Sequence, residues 1–237
     1  MNVFIVHAHP EPKSFSAALC SAATEELRLA GHDVRVSDLY ACRFNPVASD
    51  ADFAVRRNPQ YLNYALEQRN AQETHSTASD IQAELAKLLW CDLLILNFPV
   101  FWCGPPAIMK GWFDRVLLSG AVYGGRRFYD RGGLTGKRAL VTATIGGQEH
   151  MFERGGIHGP IDEMLRPVLQ GTLAYIGMSV LEPFVAWHVP YITSDARVDM
   201  LQKYRQQLAR IESRRQLSYP SLDDFDGQMR PLENLRP

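Results

Sequence analysis

Two short segments of this chain are apolar on both faces, and that property constrains the fold more than any other. Asn2-Val3-Phe4-Ile5-Val6-His7-Ala8 is β-branched or apolar almost throughout, and Leu93-Leu94-Ile95-Leu96 repeats the pattern. A strand with no polar face belongs in the middle of a parallel sheet covered on both sides. Stretches of helical period fall between such strands. Ser14 to Ala30 spaces Phe15, Ala18, Leu19, Ala22, Ala23 and Leu27 as a helix does, and Gly31 stops it. Asp33 to Leu39 reads as a second strand. Ser79-Asp80-Ile81-Gln82 has capping-box spacing and opens a helix with Ile81, Leu85, Leu88 and Leu89 on one face. Pro105-Pro106 opens another. There Ile108, Trp112 and Val116 line one face and Met109, Phe113 and Leu117 a second, which predicts burial on both sides and a subunit interface. Arg138 to Thr144 and Ser179 to Trp187 read as strands, Pro160 to Ile176 as a helix. Ser194 to Arg214 is a helix aligning Leu201, Tyr204, Leu208 and Ile211.

Strands alternating with helices define an α/β fold, because parallel neighbours need helical crossovers. The expected architecture is a flavodoxin-like, doubly wound, five-stranded parallel sheet of order 2-1-3-4-5 with helices on both faces. It occupies residues 1–216, and 217–237, rich in Pro and Asp, forms an extended tail. The polar stretch from Tyr40 to Ser79 is longer than ordinary connections and is an excursion with its own role. With 237 residues, 46% of them hydrophobic and 22% charged, one domain buries a full core. The 25 basic and 26 acidic residues leave a formal charge of −1, which argues against nucleic acid or an anionic membrane as main partner. No apolar run reaches membrane-spanning length and no signal core follows the N-terminus. The four cysteines (Cys20, Cys42, Cys91, Cys103) show no CxxC pairing and read as reduced thiols of a cytoplasmic protein.

In such a sheet, ligands bind outside the carboxyl ends of the strands, at the switch between strands one and three. His9-Pro10-Glu11-Pro12-Lys13-Ser14-Phe15-Ser16 there leads onto a helix N-terminus, a phosphate site if occupied and otherwise only a strand end with Ser14 as N-cap. Pro99-Val100-Phe101-Trp102-Cys103-Gly104 sets two large aromatics beside backbone amides, suited to a flat conjugated ring or to a hydrophobic plug. Thr144-Ile145-Gly146-Gly147 lets main-chain N–H groups approach a ligand, or simply makes a turn of positive φ. His158, inside Gly155-Gly156-Ile157-His158-Gly159-Pro160, is either functional or structural. No GxGxxG, GxxxxGK[ST] or GxSxG signature occurs. His7 and His9 lack a third ligand at metal spacing, so no metal is expected.

Together these segments resemble the flavin-dependent NAD(P)H:quinone reductase family of DT-diaphorase type. The likeness runs from Val3 to about Leu222. It is carried by Ala8-His9 with Ser14-Phe15, Ser37-Asp38-Leu39-Tyr40, Phe44-Asn45-Pro46 and Phe98-Pro99 with Trp102. Pro106-Ala107-Ile108, Lys110-Gly111-Trp112-Phe113, Gly146-Gly147, Gly156-Ile157-His158-Gly159, Leu181-Glu182-Pro183 and Asp195-Ala196-Arg197 continue it. The resemblance implies FAD, with FMN as the alternative, at the interface of a homodimer, and ping-pong hydride transfer from NAD(P)H to a quinone. It implies that His9, Ser14, Phe15 and Ser16 hold the cofactor phosphates. Pro99, Val100, Phe101, Trp102 and Cys103 line the ring, and Thr144, Ile145, Gly146 and Gly147 bond its polar edge. Arg197 reaches the adenosine end, and Asn63 aligns loosely with a cofactor-contacting glutamine. Tyr123 and His158 line the substrate site. Phe152 stands where the family has a tyrosine assisting hydride transfer, and Gly125, before Arg126 and Arg127, replaces a second tyrosine, making the pocket roomier and more basic. Gln170 and Ala174 replace ligands of a structural zinc. The alternatives are an FMN-dependent azo- or nitro-reductase, which shares the fold and reaction type, a regulatory ancillary subunit of a potassium-efflux system, which shares much of this pattern, and a flavodoxin-like binding module without turnover.

Overall fold

The computed structural model describes residues 1–232; the last residues of the tail, 233–237, lie outside the described ones. In chain order the elements are β1 (Asn2–His7), α1 (Phe15–Leu29), β2 (Asp33–Asp38), α2 (Tyr64–Thr74), α3 (Ser79–Trp90), β3 (Leu93–Pro99), α4 (Ala107–Val116), β4 (Arg138–Thr144), α5 (Ile161–Met164), α6 (Arg166–Val168), β5 (Ser179–Val180), β6 (Phe184–Ala186) and α7 (Ser194–Leu208). All strand pairs are parallel and the order is β2-β1-β3-β4-β5, with β6 also on β4. This is the flavodoxin-like sheet, doubly wound, with helices on both faces.

The pleat explains why the central strands carry no polar face. Val3, Ile5, Leu93, Ile95 and Leu140 point into the layer of α1 and α7, while Phe4, Val6, Leu94, Leu96 and Val141 point into that of α3 and α4. Toward the carboxyl ends the α1 side turns polar. The next residues of the same parity are His7, Asn97, Thr142 and Thr144, all buried. The change of chemistry marks the end of the sheet that carries the site.

Several expectations need correcting. The segment 179–187 is not one strand. Arg138 pairs with Ser179 but Thr142 with Phe184, so Leu181–Pro183 inserts one extra residue, a bulge at a proline that cannot donate to the ladder. The single helix expected over 160–176 is interrupted at Leu165, two residues before Pro167, and continues as a π-turn over Leu169–Ala174. Ser79 does not cap α3. Ala78 is the N-cap without a side-chain bond, and Gln82 bonds the carbonyl of Thr77. The second apolar face of α4 is covered by its own chain, since Met109, Trp112, Phe113, Val116 and Leu117 all belong to the core, so its pattern is no evidence of an interface. The tail is not simply extended: it makes a 3₁₀ turn at Leu222–Asp224 and bonds Asp130 through Ser221 and Leu222.

The excursion after β2 holds α2 and is pinned from beneath by α4. Arg115, buried, donates to Asp52 (2.7 Å), Asp80 (2.6 Å) and the carbonyl of Asn45 (2.8 Å). Tyr64 donates to Asp52 at 2.5 Å. Burial alone would raise the Asp52 carboxyl, but these hydrogen bonds outweigh it and hold its pKa below the usual range. Gly111 lets the chain at Pro46 lie on α4, where a Cβ would fall 2.2 Å from the Pro46 carbonyl oxygen.

Candidate active site

Buried hydrogen bonds tie the carboxyl ends of β1, β3 and β4 together. Asn97, the polar residue within β3, accepts from the Ala8 N–H through its carbonyl at 3.0 Å and donates through Nδ2 to the Ser16 carbonyl at 2.8 Å. Ser16 Oγ meets Thr144 Oγ1 at 2.8 Å, and the Val100 N–H donates to the Thr144 carbonyl at 2.8 Å. The loops expected to act together, 9–16, 99–104 and 144–147, are thus anchored to one another.

Each loop presents unused donors. At α1, Ser14 accepts from the Ala17 N–H, so its hydroxyl is a cap, while the N–H groups of Phe15 and Ser16 precede any helical acceptor. Residues 101–104 form a tight turn: Phe101 and Gly104 exchange N–H to carbonyl bonds at 2.8 and 3.1 Å. Its central residues, Trp102 (φ 47°) and Cys103 (φ 63°), are left-handed without being glycine. Such backbone strain persists at sites where function requires it. The Trp102 side chain is fully exposed and that of Phe101 nearly half exposed, so the turn is no hydrophobic plug. Neither Gly146 nor Gly147 has positive φ, which removes the simple-turn explanation of that pair. The Ile145 N–H is spent on the Ala186 carbonyl at 2.9 Å, contrary to the expectation that it faces a ligand. Among the described residues, the N–H groups of Phe15, Ser16, Trp102, Cys103, Gly146 and Gly147 have no acceptor.

Gly147 has a packing role. A Cβ there would sit 2.6 Å from Phe152 Cε2. The buried Phe152 ring packs tilted against His158 at 4.8 Å centroid distance and against Trp187 at 5.4 Å. The His158 N–H donates to the Met151 carbonyl at 2.9 Å, which holds the exposed imidazole on the rim beside Gly147. His9, half-buried, accepts from the Glu11 N–H through Nδ1 at 3.0 Å; desolvation lowers its pKa.

Of the other expected residues, Tyr123 and Asn63 make no hydrogen bond to the three loops, and Arg197 reaches them through Val189, whose N–H donates to the Ile145 carbonyl at 3.1 Å. Tyr123 is half-buried against Tyr175 in a cavity of about 510 Å³ that also meets Phe113 and Leu117 but no strand-end loop. Asn63 caps α2 by accepting from the Leu66 N–H. Arg197, on the first turn of α7, donates to the Val189 carbonyl at 3.1 Å and keeps a buried, unpartnered Nε. Sequence reasoning missed His188, whose N–H and Nδ1 lie 2.9 Å from the carbonyls of Gly147 and Gly146. These bonds turn both carbonyls away from the open side of the loop. Its signal was its place at the carboxyl end of the last strand.

Beneath the loops, His7 is buried with Nδ1 unpartnered, next to Asn97, whose Oδ1 also lacks a partner. Desolvation holds its pKa below the ordinary histidine value, although the Asp38 carboxylate pulls the other way and His9 adds to the lowering. Folding therefore favours neutral His7, and the unfolded chain binds the proton more readily. Its contribution to stability is complete above pH ~6.5 and is lost as pH falls below that value. Denaturant melts between about pH 7.5 and 5 should show a shallower loss in His7→Gln than in the unaltered protein. Identical slopes would assign the loss elsewhere.

A doubly wound parallel sheet with open amides above its switch point is the architecture of a flavodoxin-like protein. The family of flavodoxin-like fold matches residues 1–208. Ribosyldihydronicotinamide dehydrogenase (quinone) from Homo sapiens is 40% identical over 211 residues, 89% of this chain and 91% of that protein. NAD(P)H dehydrogenase (quinone) 1 from Cavia porcellus is 37% identical over 226 residues, 95% of this chain and 82% of that protein. A Klebsiella pneumoniae structure, described as a candidate quinone reductase, superposes with a TM-score of 0.94 at 32% identity, covering 100% of this chain and 96% of that one. The chain belongs to the flavodoxin-like NAD(P)H:quinone oxidoreductase family. No helix among the described residues is long and apolar enough to cross a membrane.

Proposed function

We propose that this chain is a cytoplasmic, homodimeric, FAD-dependent NAD(P)H:quinone oxidoreductase that transfers two electrons as hydride in a ping-pong cycle. The observation that carries the proposal is the set of unpartnered N–H groups at Phe15, Ser16, Trp102, Cys103, Gly146 and Gly147, on three interlocked loops beside an exposed aromatic pair. That donor set fits a flavin, which needs a phosphate site, a stacking surface and donors along a polar ring edge. When bound, the flavin supplies hydride acceptance from the nicotinamide and hydride donation to the quinone.

The protein's residues bind, orient and shield. The first turn of α1 offers its dipole and the Phe15 and Ser16 N–H groups to phosphate. Phe101 and Trp102 would offer stacking area, and the strained turn leaves the Trp102 and Cys103 amides free to hold the ring. Gly146 and Gly147 would offer their N–H groups to the polar edge of the ring. His158 holds an exchangeable proton on the rim. Phe152, lacking the family's hydroxyl, orients that imidazole by packing against it instead of sharing the proton.

Arg197, with its free buried Nε, is our candidate for the adenosine end, which favours FAD. Fully exposed Trp102 and the separate cavity at Tyr123 support a dimer in which one chain's Tyr123 faces the other's loops. The purified protein should be yellow, bleach on addition of NAD(P)H and recover with benzoquinone. Heating should release FAD. Release of FMN would remove the assignment of FAD, and a colourless protein that takes up neither flavin would remove the proposal.

A further inference from the structure

Two arginines converge on one glycine turn beside Tyr123 without meeting an acid. The chain bends at Ser119–Tyr123, where the Gly120 N–H donates to the Tyr123 carbonyl at 2.7 Å. It then closes a hairpin in which Gly124 and Arg127 exchange backbone bonds at 3.2 and 3.1 Å. Arg127 folds back over that bend, Nη1 donating to the Gly120 carbonyl at 3.3 Å and Nη2 to the Ala121 carbonyl at 3.2 Å. From α2, Arg69 reaches the same bend, donating through Nη2 to Ser119 Oγ at 3.5 Å with its stem against Gly120. Arg126, on the same hairpin, bonds the Gly227 carbonyl at 3.2 Å.

Ion pairs to carboxylates serve Arg115, Arg131, Arg205, Arg215, Lys87 and Lys110, but none involves Arg69, Arg126 or Arg127 among the described residues. A guanidinium has five donors. Arg127 spends its bonds on neutral carbonyls and Arg69 on a hydroxyl, so both retain full charge and spare N–H groups. Holding like charges on one turn costs energy that a bound anion would recover. Tyr123, at the end of that bend, is shared with the cavity of about 510 Å³ lined also by Phe113, Leu117, Tyr175 and the mutually paired Lys110 and Asp114. At Gly125, on the same hairpin, a side chain would meet nothing within 4 Å, so no atom of the chain crowds that turn.

We propose that Arg69 and Arg127 form an anion subsite at the mouth of the Tyr123 cavity, which takes the charged group of a substrate whose flat part enters the cavity. This rests on the reductase reading. The shared chemistry is an oxyanion, carried either by an acidic aromatic acceptor or as the 2′-phosphate of NADPH.

The test compares the unaltered protein with Arg69→Gln, Arg127→Gln and the double variant, which keep polar donors but lose charge. For each, kcat/KM is measured with 1,4-naphthoquinone and its 2-sulfonate, and with NADH and NADPH. In the double variant one preference should fall about tenfold, since a hydrogen bond to a charged group is worth that much or more. A fall in the sulfonate-to-neutral ratio assigns the anion to the acceptor, and a fall in the NADPH-to-NADH ratio assigns it to the nicotinamide substrate. If neither ratio moves, the subsite is overturned. Should the unaltered protein reduce no quinone at all, the reductase reading fails by itself. Tryptophan-fluorescence titrations with naphthalene-2-sulfonate then judge the subsite, and equal affinity in the unaltered and doubly substituted proteins would refute it.

Discussion

Replacing Arg115 with alanine is expected to destabilise the fold by about 3–5 kcal/mol, because it leaves buried carboxylate charge without its partner. Arg115 lies beneath the excursion with its guanidinium over the Phe44 ring, 5.0 Å from the centroid. Its partners are Asp52 and the carbonyl of Asn45, seven residues apart in the excursion, and Asp80 from α3. Without it, Asp52 keeps only Tyr64 and the Ser49 N–H as donors. The sign with pH follows from the depressed Asp52 carboxyl. The stability it contributes is present above the unfolded pKa of about 3.9 and is lost as pH falls through the lower folded value. In Arg115→Ala that acid-side loss should begin at higher pH, because desolvation then acts on Asp52 with less opposition. Urea melts at pH 7 and 5 measure both effects. A loss under about 1 kcal/mol would mean that water replaces the guanidinium, as it does at exposed pairs.

Arg115 also shows where sequence reading stops. The strands were legible because burial on both faces leaves a direct trace: Phe4 and Ile5 go to opposite layers and both are apolar. The excursion left no such trace. Its stability comes from one cation meeting acids 63 and 35 positions away in sequence, and hydrophobic period carries nothing about such pairings. The same holds for the bulge at Leu181–Pro183. Pro183 was visible, but only the pairing of β4 with both β5 and β6 shows that it shifts register instead of ending the strand. Ser79 misled for a related reason. A capping-box pattern states a competence, and here the chain arriving from the excursion placed Ala78 at the cap instead.

At the site, position was legible and orientation was not. The order of the sheet pointed to the carboxyl ends of β1, β3 and β4, and hydrogen bonds do join the loops there. Which amides stay open was decided elsewhere. Ala186 consumes the Ile145 N–H and His188 captures the carbonyls of Gly146 and Gly147, so β6 and the chain leaving it choose which face of the third loop is free. Asn97, a lone amide within an apolar strand, was the one local sign of this interlock.

The second large effect concerns Gly147. Gly147→Ala is expected to reduce turnover about a hundredfold, the scale of loss when a reacting geometry shifts by about 1 Å. The added Cβ would stand 2.6 Å from Phe152 Cε2 and 3.1 Å from Cζ, so the ring must move. It is buried and flanked by His158 and Trp187, and displacement carries the imidazole with it. Overpacking of this kind costs about 1–3 kcal/mol, and it leaves the Gly147 N–H itself in place. Flavin retention should therefore fall less than turnover. A double-mutant cycle with Phe152→Ala isolates the cause. Once the ring is gone, the next nearest atom is Met151 Sδ at 3.8 Å, an ordinary contact, so the double variant should turn over no more slowly than Phe152→Ala alone. Additive losses would show that Gly147 acts on the ligand directly, and that Phe152 is not the link by which this loop positions His158.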